Sequence, residues 1–146
     1  MATNVSYMPT EGLSYDPNEE KYWDPEMLQM EITRAFEVCH GCRMCFKYCD
    51  SFPILFKAID DEHDGDVTKL TADETQHVMD ECFQCKLCEV QCPYTPRDQH
   101  EFQLDFPKLV HRYQAQRAKA VGITFRDRVL ANPDMAGAAA RLSMGM

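Results

Sequence analysis

The sequence predicts a mainly α-helical fold with an extended N-terminal arm. Three observations predict it. The chain has 146 residues, 45% of them hydrophobic, enough for one core at the usual roughly 100–200 residues per domain. Its eight cysteines fall into two runs, Cys39, Cys42, Cys45, Cys49 and Cys82, Cys85, Cys88, Cys92, offset by 43 positions. The segments flanking both runs carry helix starts and apolar stripes of helical period, and no alternating β-branched run is long enough for a convincing strand.

Residues 1–24 lack periodicity and form the predicted arm. Pro9, Gly12 and Pro17 interrupt them, and Tyr7, Tyr15, Tyr22 and Trp23 give the arm aromatics with which to dock on its own core or on a partner subunit. Asp24-Pro25-Glu26 then opens a helix, with Asp24 as N-cap and Pro25 at the first helical position. Leu28, Ile32, Ala35 and Phe36 make its apolar stripe, and it delivers the chain to Cys39. Pro53 is expected to start a second helix, Ile54 to about Ile59.

The acidic stretch from Asp60 to Asp66 resembles the start of a calcium loop. Asp60, Glu62 and Asp64 stand at ligand positions 1, 3 and 5, Gly65 at 6 and Val67 at 8. Position 12 is Thr71, where a bidentate Glu is required, so the stretch reads as a solvated connection. Thr71 to Glu74 is a capping box for a helix running to Cys82. Asp105-Phe-Pro107 starts a helix whose period takes in Phe106, Leu109, Val110, Tyr113 and Arg117 and which Gly122 can end. Thr124 caps a short helix ending near Asn132-Pro133, and Ala136 to Met146 begins one more. The expected organisation is arm 1–24, helical cysteine domain 25–104 and C-terminal helical extension 105–146.

Charge narrows the function. Fifteen basic against 24 acidic side chains give a net −9, whereas a nucleic-acid surface needs a Lys/Arg excess. No apolar stretch reaches the roughly 18 residues of a membrane span. The first basic residue is Lys21 and no apolar h-region follows Met1, so the N-terminus does not read as a signal peptide. The expected location is the cytoplasm, at the inner face of a membrane through a partner if at all. Disulfides are disfavoured there, and eight thiols point to metal.

The two runs, CHGCRMCFKYC and CFQCKLCEVQC, are an internal repeat of spacing C-x2-C-x2-C-x3-C. Arg43 aligns with Lys86, Met44 with Leu87 and Pro53 with Pro96. A structural zinc site takes four ligands, and paired C-x2-C steps would suffice for it. Here each run has a third cysteine at the same step and a fourth after three residues. In such runs the first three cysteines bind one [4Fe–4S] cluster and the fourth binds the other. The expected ligands are Cys39, Cys42, Cys45 and Cys92 for the first cluster, and Cys82, Cys85, Cys88 and Cys49 for the second. Crossed ligation would staple the two halves together and hold the clusters close. Cys92-Pro93 has the usual ending and Cys49-Asp50 departs from it without removing a ligand. His40 reads as a loop residue beside the cluster rather than a ligand, since a Rieske pattern needs two histidines. Phe46, Tyr48, Phe83, Leu87 and Tyr94 are candidate shields, with ordinary core packing as the plainer alternative. Thirty-two residues separate Cys49 from Cys82 and read as helix, acidic loop and helix, which points to the helical form of the two-cluster ferredoxin domain.

The segments CHGCRMCFKYCDSFPILF, CFQCKLCEVQCPYTP, HEFQLDFPKLVHR and FRDRVLANPD resemble the N-terminal iron–sulfur domain of the heterodisulfide-reductase-like and anaerobic glycerol-3-phosphate dehydrogenase C-subunit family, over roughly residues 25–135. The resemblance implies electron relay between a flavoprotein or similar redox partner and an acceptor such as quinone. Many members continue into domains with CCG motifs. No CCG segment occurs here, so the chain is expected to be a stand-alone relay or part of a longer protein, and the unfinished helix at Ala136–Met146 favours the latter. The expected function is one-electron transfer through two [4Fe–4S] clusters as an oxidoreductase subunit, without substrate chemistry. The alternatives are a catalytic subunit of a heterodisulfide- or quinone-type reductase and a structural metal module. Neither G-x-G-x-x-G nor a P-loop is present to support catalysis with a nucleotide.

Overall fold

A computed structural model describes residues 5–144. It is mainly helical, as predicted, with no strand among the described residues. The chain divides into two compact units, residues 1–114 and 115–146.

In the first unit, α1 spans Pro25–Cys42, with the Asp24 side chain accepting from the Met27 N–H at 2.9 Å and Pro25 in the first turn. The helix runs further than expected. It carries Cys39 and Cys42 on its final turns, and His40 with them, so His40 is a helical residue and not a loop residue. Arg43, left-handed at φ 55°, ends it. Helix α2 spans Ser51–Lys57 and starts before Pro53, which sits in its first turn, where a missing N–H costs little. A single π turn over Ala58–Glu62 carries α2 into the acidic loop. Helix α3, Ala72–Asp80, opens on the predicted capping box: Thr71 Oγ1 accepts from the Glu74 N–H at 3.3 Å and the Glu74 carboxylate accepts from the Thr71 N–H at 2.7 Å. Helix α4 is a short turn and a half, Leu87–Gln91, holding Cys88. Leu28, Ile32, Phe36, Phe52, Leu55, Ile59, Val78, Met79 and Leu109 form the common core.

The arm docks on this core. Tyr22 is buried and a 3-10 turn forms at Glu20–Trp23; residues 1–4 lie outside the described residues. Two buried arginines hold it. Arg34 on α1 pairs with Glu31 at 2.6 Å and donates to the Tyr7 carbonyl at 3.0 Å and the Phe102 carbonyl at 2.8 Å. Glu31 also accepts from the Thr10 N–H and hydroxyl, at 2.9 and 2.6 Å. Burying this pair is tolerable because each polar edge finds a partner. Arg112 donates to the carbonyls of Tyr22 at 2.8 Å and Gly12 at 2.7 Å, and to that of Lys21. The Tyr15 hydroxyl donates to the Gln103 carbonyl and accepts from the Asp105 N–H, both at 3.0 Å.

Helix α5, Phe106–Val121, matches its prediction, with Gly122 at φ 83° just past its end. Its first half, which the sequence grouped with the C-terminal extension, belongs to the first unit. In the second unit, Thr124 caps α6, Phe125–Leu130, by accepting from the Asp127 N–H at 3.2 Å. Helix α7 spans Pro133–Met144 and begins three residues earlier than expected, with Pro133 starting it instead of ending its predecessor. Asn132 Oδ1 caps it by accepting from the Met135 N–H at 3.2 Å. Residues 145–146 of the predicted last helix lie outside the described residues. Phe125, Leu130 and Leu142 are exposed.

Candidate metal centre

Cys39 and Cys42 stand on the last turns of α1, and Cys45 on the turn that follows. Cys92 arrives from the end of α4, its N–H donating to the Cys88 carbonyl at 3.0 Å. These four line one cavity together with Val38, Phe52, Phe56, Tyr94 and Leu104. The space is about 310 Å³, part of it open to solvent. Two residues between ligands allow the helix end and its turn to present three sulfurs inward. The long connection through α2 and α3 then brings the fourth from the second run.

The thiols report the same neighbourhoods electrostatically. Burial pushes Cys39 well up, and after it the nearby Cys92, Cys45, Cys88 and Cys42 sulfurs do. Cys45 is raised to about 11, by burial first and then by Cys92, Cys42 and Cys49. In the second run Cys88 is raised to about 12, by burial and then by Cys45, Cys82, Cys49 and Cys85. Cys82 is raised by burial and, less, by Cys49 and Cys85. Cys92 is a neighbour of Cys39 and Cys45, while Cys49 is a neighbour of Cys45 in the first run as well as of Cys82 and Cys88 in the second, so the two runs' sulfurs lie side by side. Without metal, such buried thiols stay protonated at neutral pH; iron binding displaces those protons, since only the thiolate is a ligand.

The donor set fits [4Fe–4S] clusters. Four cysteines and an apolar wall enclose a volume.

The repeat extends to the backbone. Arg43 and Lys86, aligned in sequence, are both left-handed, at φ 55° and 62°. The repeat breaks after them, since α4 follows Lys86 while turns follow Arg43. A helix before the fourth cysteine thus forms only in the second run.

Of the five candidate shields, Tyr94 lines the first cavity. Phe83 is 74% exposed, and Leu87, Phe46 and Tyr48 are exposed too. Phe46 stacks on Phe56, centroids 6.2 Å apart, and the Tyr48 hydroxyl donates to Gln91 Oε1 at 3.2 Å. The apolar wall of the first cavity also includes Val38 from α1, Phe52 and Phe56 from α2, and Leu104 from the stretch before α5. Sequence reasoning also missed Gln84. Its Nε2 donates to the Pro107 carbonyl at 3.2 Å and lies 3.9 Å from Cys82 Sγ, tying the second loop to the start of α5. Asp60, read as solvated, reaches back to the first loop: its Oδ1 accepts from Arg43 Nη2 at 2.8 Å and lies 2.8 Å from His40 Nε2.

Residues 38–95 match the family model described as a 4Fe-4S dicluster domain. That segment contains all eight cysteines, and they fit two [4Fe–4S] clusters. The chain is also similar to citrate utilization protein B of Escherichia coli, at 26% identity over 82 residues. The match covers 56% of this chain and 19% of that protein, so the chain spans about a fifth of the relative's length. No solved structure matches.

Proposed function

We propose that this chain is an electron-transfer subunit, passing electrons one at a time between a redox partner, such as a flavoprotein dehydrogenase or a quinone-linked membrane subunit, and an acceptor. A bound [4Fe–4S] cluster supplies a one-electron carrier. The chain's own residues hold it, exclude water and set the surrounding charge. Cys39, Cys42, Cys45 and Cys92 would hold the first cluster, and Cys82, Cys85, Cys88 and Cys49 the second. Val38, Phe52, Phe56 and Leu104 give the first an apolar wall, which lowers the local dielectric and disfavours added charge. The observation that carries the reading is a single cavity lined by three cysteines of one run and the last cysteine of the other. Crossed ligation would join the two sites through a few residues of chain, as a relay requires.

The acidic chain suits docking on a basic partner surface, with association that slows as salt rises. The resemblance to the heterodisulfide-reductase-like and glycerol-3-phosphate dehydrogenase C-subunit family supports a cytoplasmic relay, held at a membrane through its partner. No described helix is long and apolar enough to cross a membrane.

Two measurements test this. Protein purified without oxygen should hold about eight iron and eight sulfide per chain; four iron, or bound zinc, would sink the assignment. Crossed ligation is tested by variants. Cys49→Ser should share its spectroscopic change with Cys85→Ser, and Cys92→Ser with Cys42→Ser. The opposite pairing would mean that each run binds its own cluster.

A further inference from the structure

The acidic loop after α2 reaches a residue that lines the first cysteine cavity. Asp60 lies seventeen positions beyond Arg43 in sequence, yet its Oδ1 accepts from Arg43 Nη2 at 2.8 Å. Arg43 lines the cavity formed by Cys39, Cys42, Cys45 and Cys92. Its guanidinium is held on three further sides. Nε donates to the His40 carbonyl at 2.9 Å, Nη2 touches the His40 ring, and the group lies over the Phe56 ring, 5.3 Å from its centroid. Phe56 lines the same cavity. Asp60 lies within the single π turn at Ala58–Glu62, and π turns are frequent at functional sites.

The second loop lacks the arrangement. Lys86 occupies the position equivalent to Arg43 with the same left-handed backbone. Among the described residues no ion pair reaches it. The two halves of the repeat therefore differ in how their loop cation is held.

We propose that Asp60 is a positioning residue for the first cluster: it fixes the Arg43 guanidinium beside the cysteine loop and offsets part of its charge. A fixed cation at the cavity wall favours the added negative charge of a reduced cluster, and a carboxylate bound to that cation opposes it. Lysine would not substitute for Arg43, since only a planar fork can reach Asp60, the His40 carbonyl and the Phe56 face together.

This rests on the cluster reading, and the test separates the two. Iron and sulfide are measured first on every variant; wild-type protein without clusters defeats the reading itself. Redox titration followed by electron paramagnetic resonance is then applied to loaded protein. Asp60→Asn keeps an acceptor oxygen and removes the charge. It should raise the midpoint potential of one cluster and leave the other in place. Arg43→Gln should lower the potential of that same cluster, and Lys86→Gln should move the other. Asp61→Asn, one residue along, should move neither, and Asp60→Glu should restore the wild-type value. The inference is overturned if loaded Asp60→Asn titrates like wild type, if it shifts both clusters equally, or if Asp61→Asn has the same effect.

Discussion

Single residues in this protein are constrained by what they touch more than by what they are. Gly12 and Gly65 illustrate it. A Cβ at Gly12 would stand 2.2 Å from the Met27 carbonyl oxygen, a backbone atom of α1 that cannot swing aside. Gly65 has open space around it, but its φ is +82°. Gly12→Ala should therefore destabilise by about 2–3 kcal/mol through overlap, and should loosen the arm. Gly65→Ala should cost about 1–2 kcal/mol through backbone conformation alone and leave the arm in place. Denaturant midpoints give the energies, and limited proteolysis within residues 5–24 separates the mechanisms. Equal arm protection in both variants would contradict the packing explanation for Gly12. The sequence places one glycine in the arm and the other in the acidic loop, and only the fold shows why each is needed.

At the scale of the element, α3 shows how a local signal gains a distant partner. The Thr71 to Glu74 capping box was legible because both partners lie within one turn. His63 was not, yet its Nε2 lies 2.9 Å from the Glu74 carboxylate and ties the acidic loop to the helix start. Glu74 is held down to about 2, first by the Thr71 N–H, then by His63 and the Thr71 hydroxyl. A carboxyl depressed on folding stabilises the fold fully above its ordinary pKa of 4.5, and this contribution fades as pH falls toward about 2. Thr71→Ala should cost about 1 kcal/mol at neutral pH. The stability gap between wild type and Glu74→Gln should be constant above about pH 5 and shrink below it, as read from denaturant unfolding at a series of pH values. A gap that widens on acidification would reverse the sign assigned to Glu74.

For the whole molecule, the metal sites and the buried ionic networks hold different parts. Arg34 and Arg112 bind the arm to α1 and α5 through carbonyls that need no metal. The eight cysteines lie at the end of α1 and around α4, where Cys85 is exposed and the other seven are partly buried. Stripping iron under oxidising conditions should thus remove helical circular dichroism and lead to aggregation, because binding energy at such sites is folding energy. An apoprotein with an unchanged spectrum and cooperative melting would overturn that expectation. The sequence by itself determined the helical class, the caps at Asp24, Thr71 and Thr124, and the two cysteine runs with the clusters they fit. Each of those rests on interactions between residues a few positions apart, and such patterns survive as spacing. Only the tertiary structure decided that Arg112 grips the arm, that Val38, Phe52 and Phe56 from two helices help wall the first cavity, and that Asp60 meets Arg43. Main-chain carbonyls carry no side-chain identity, and a π turn redirects the chain without a sequence signal, so contacts that depend on them leave no trace in the order of residues.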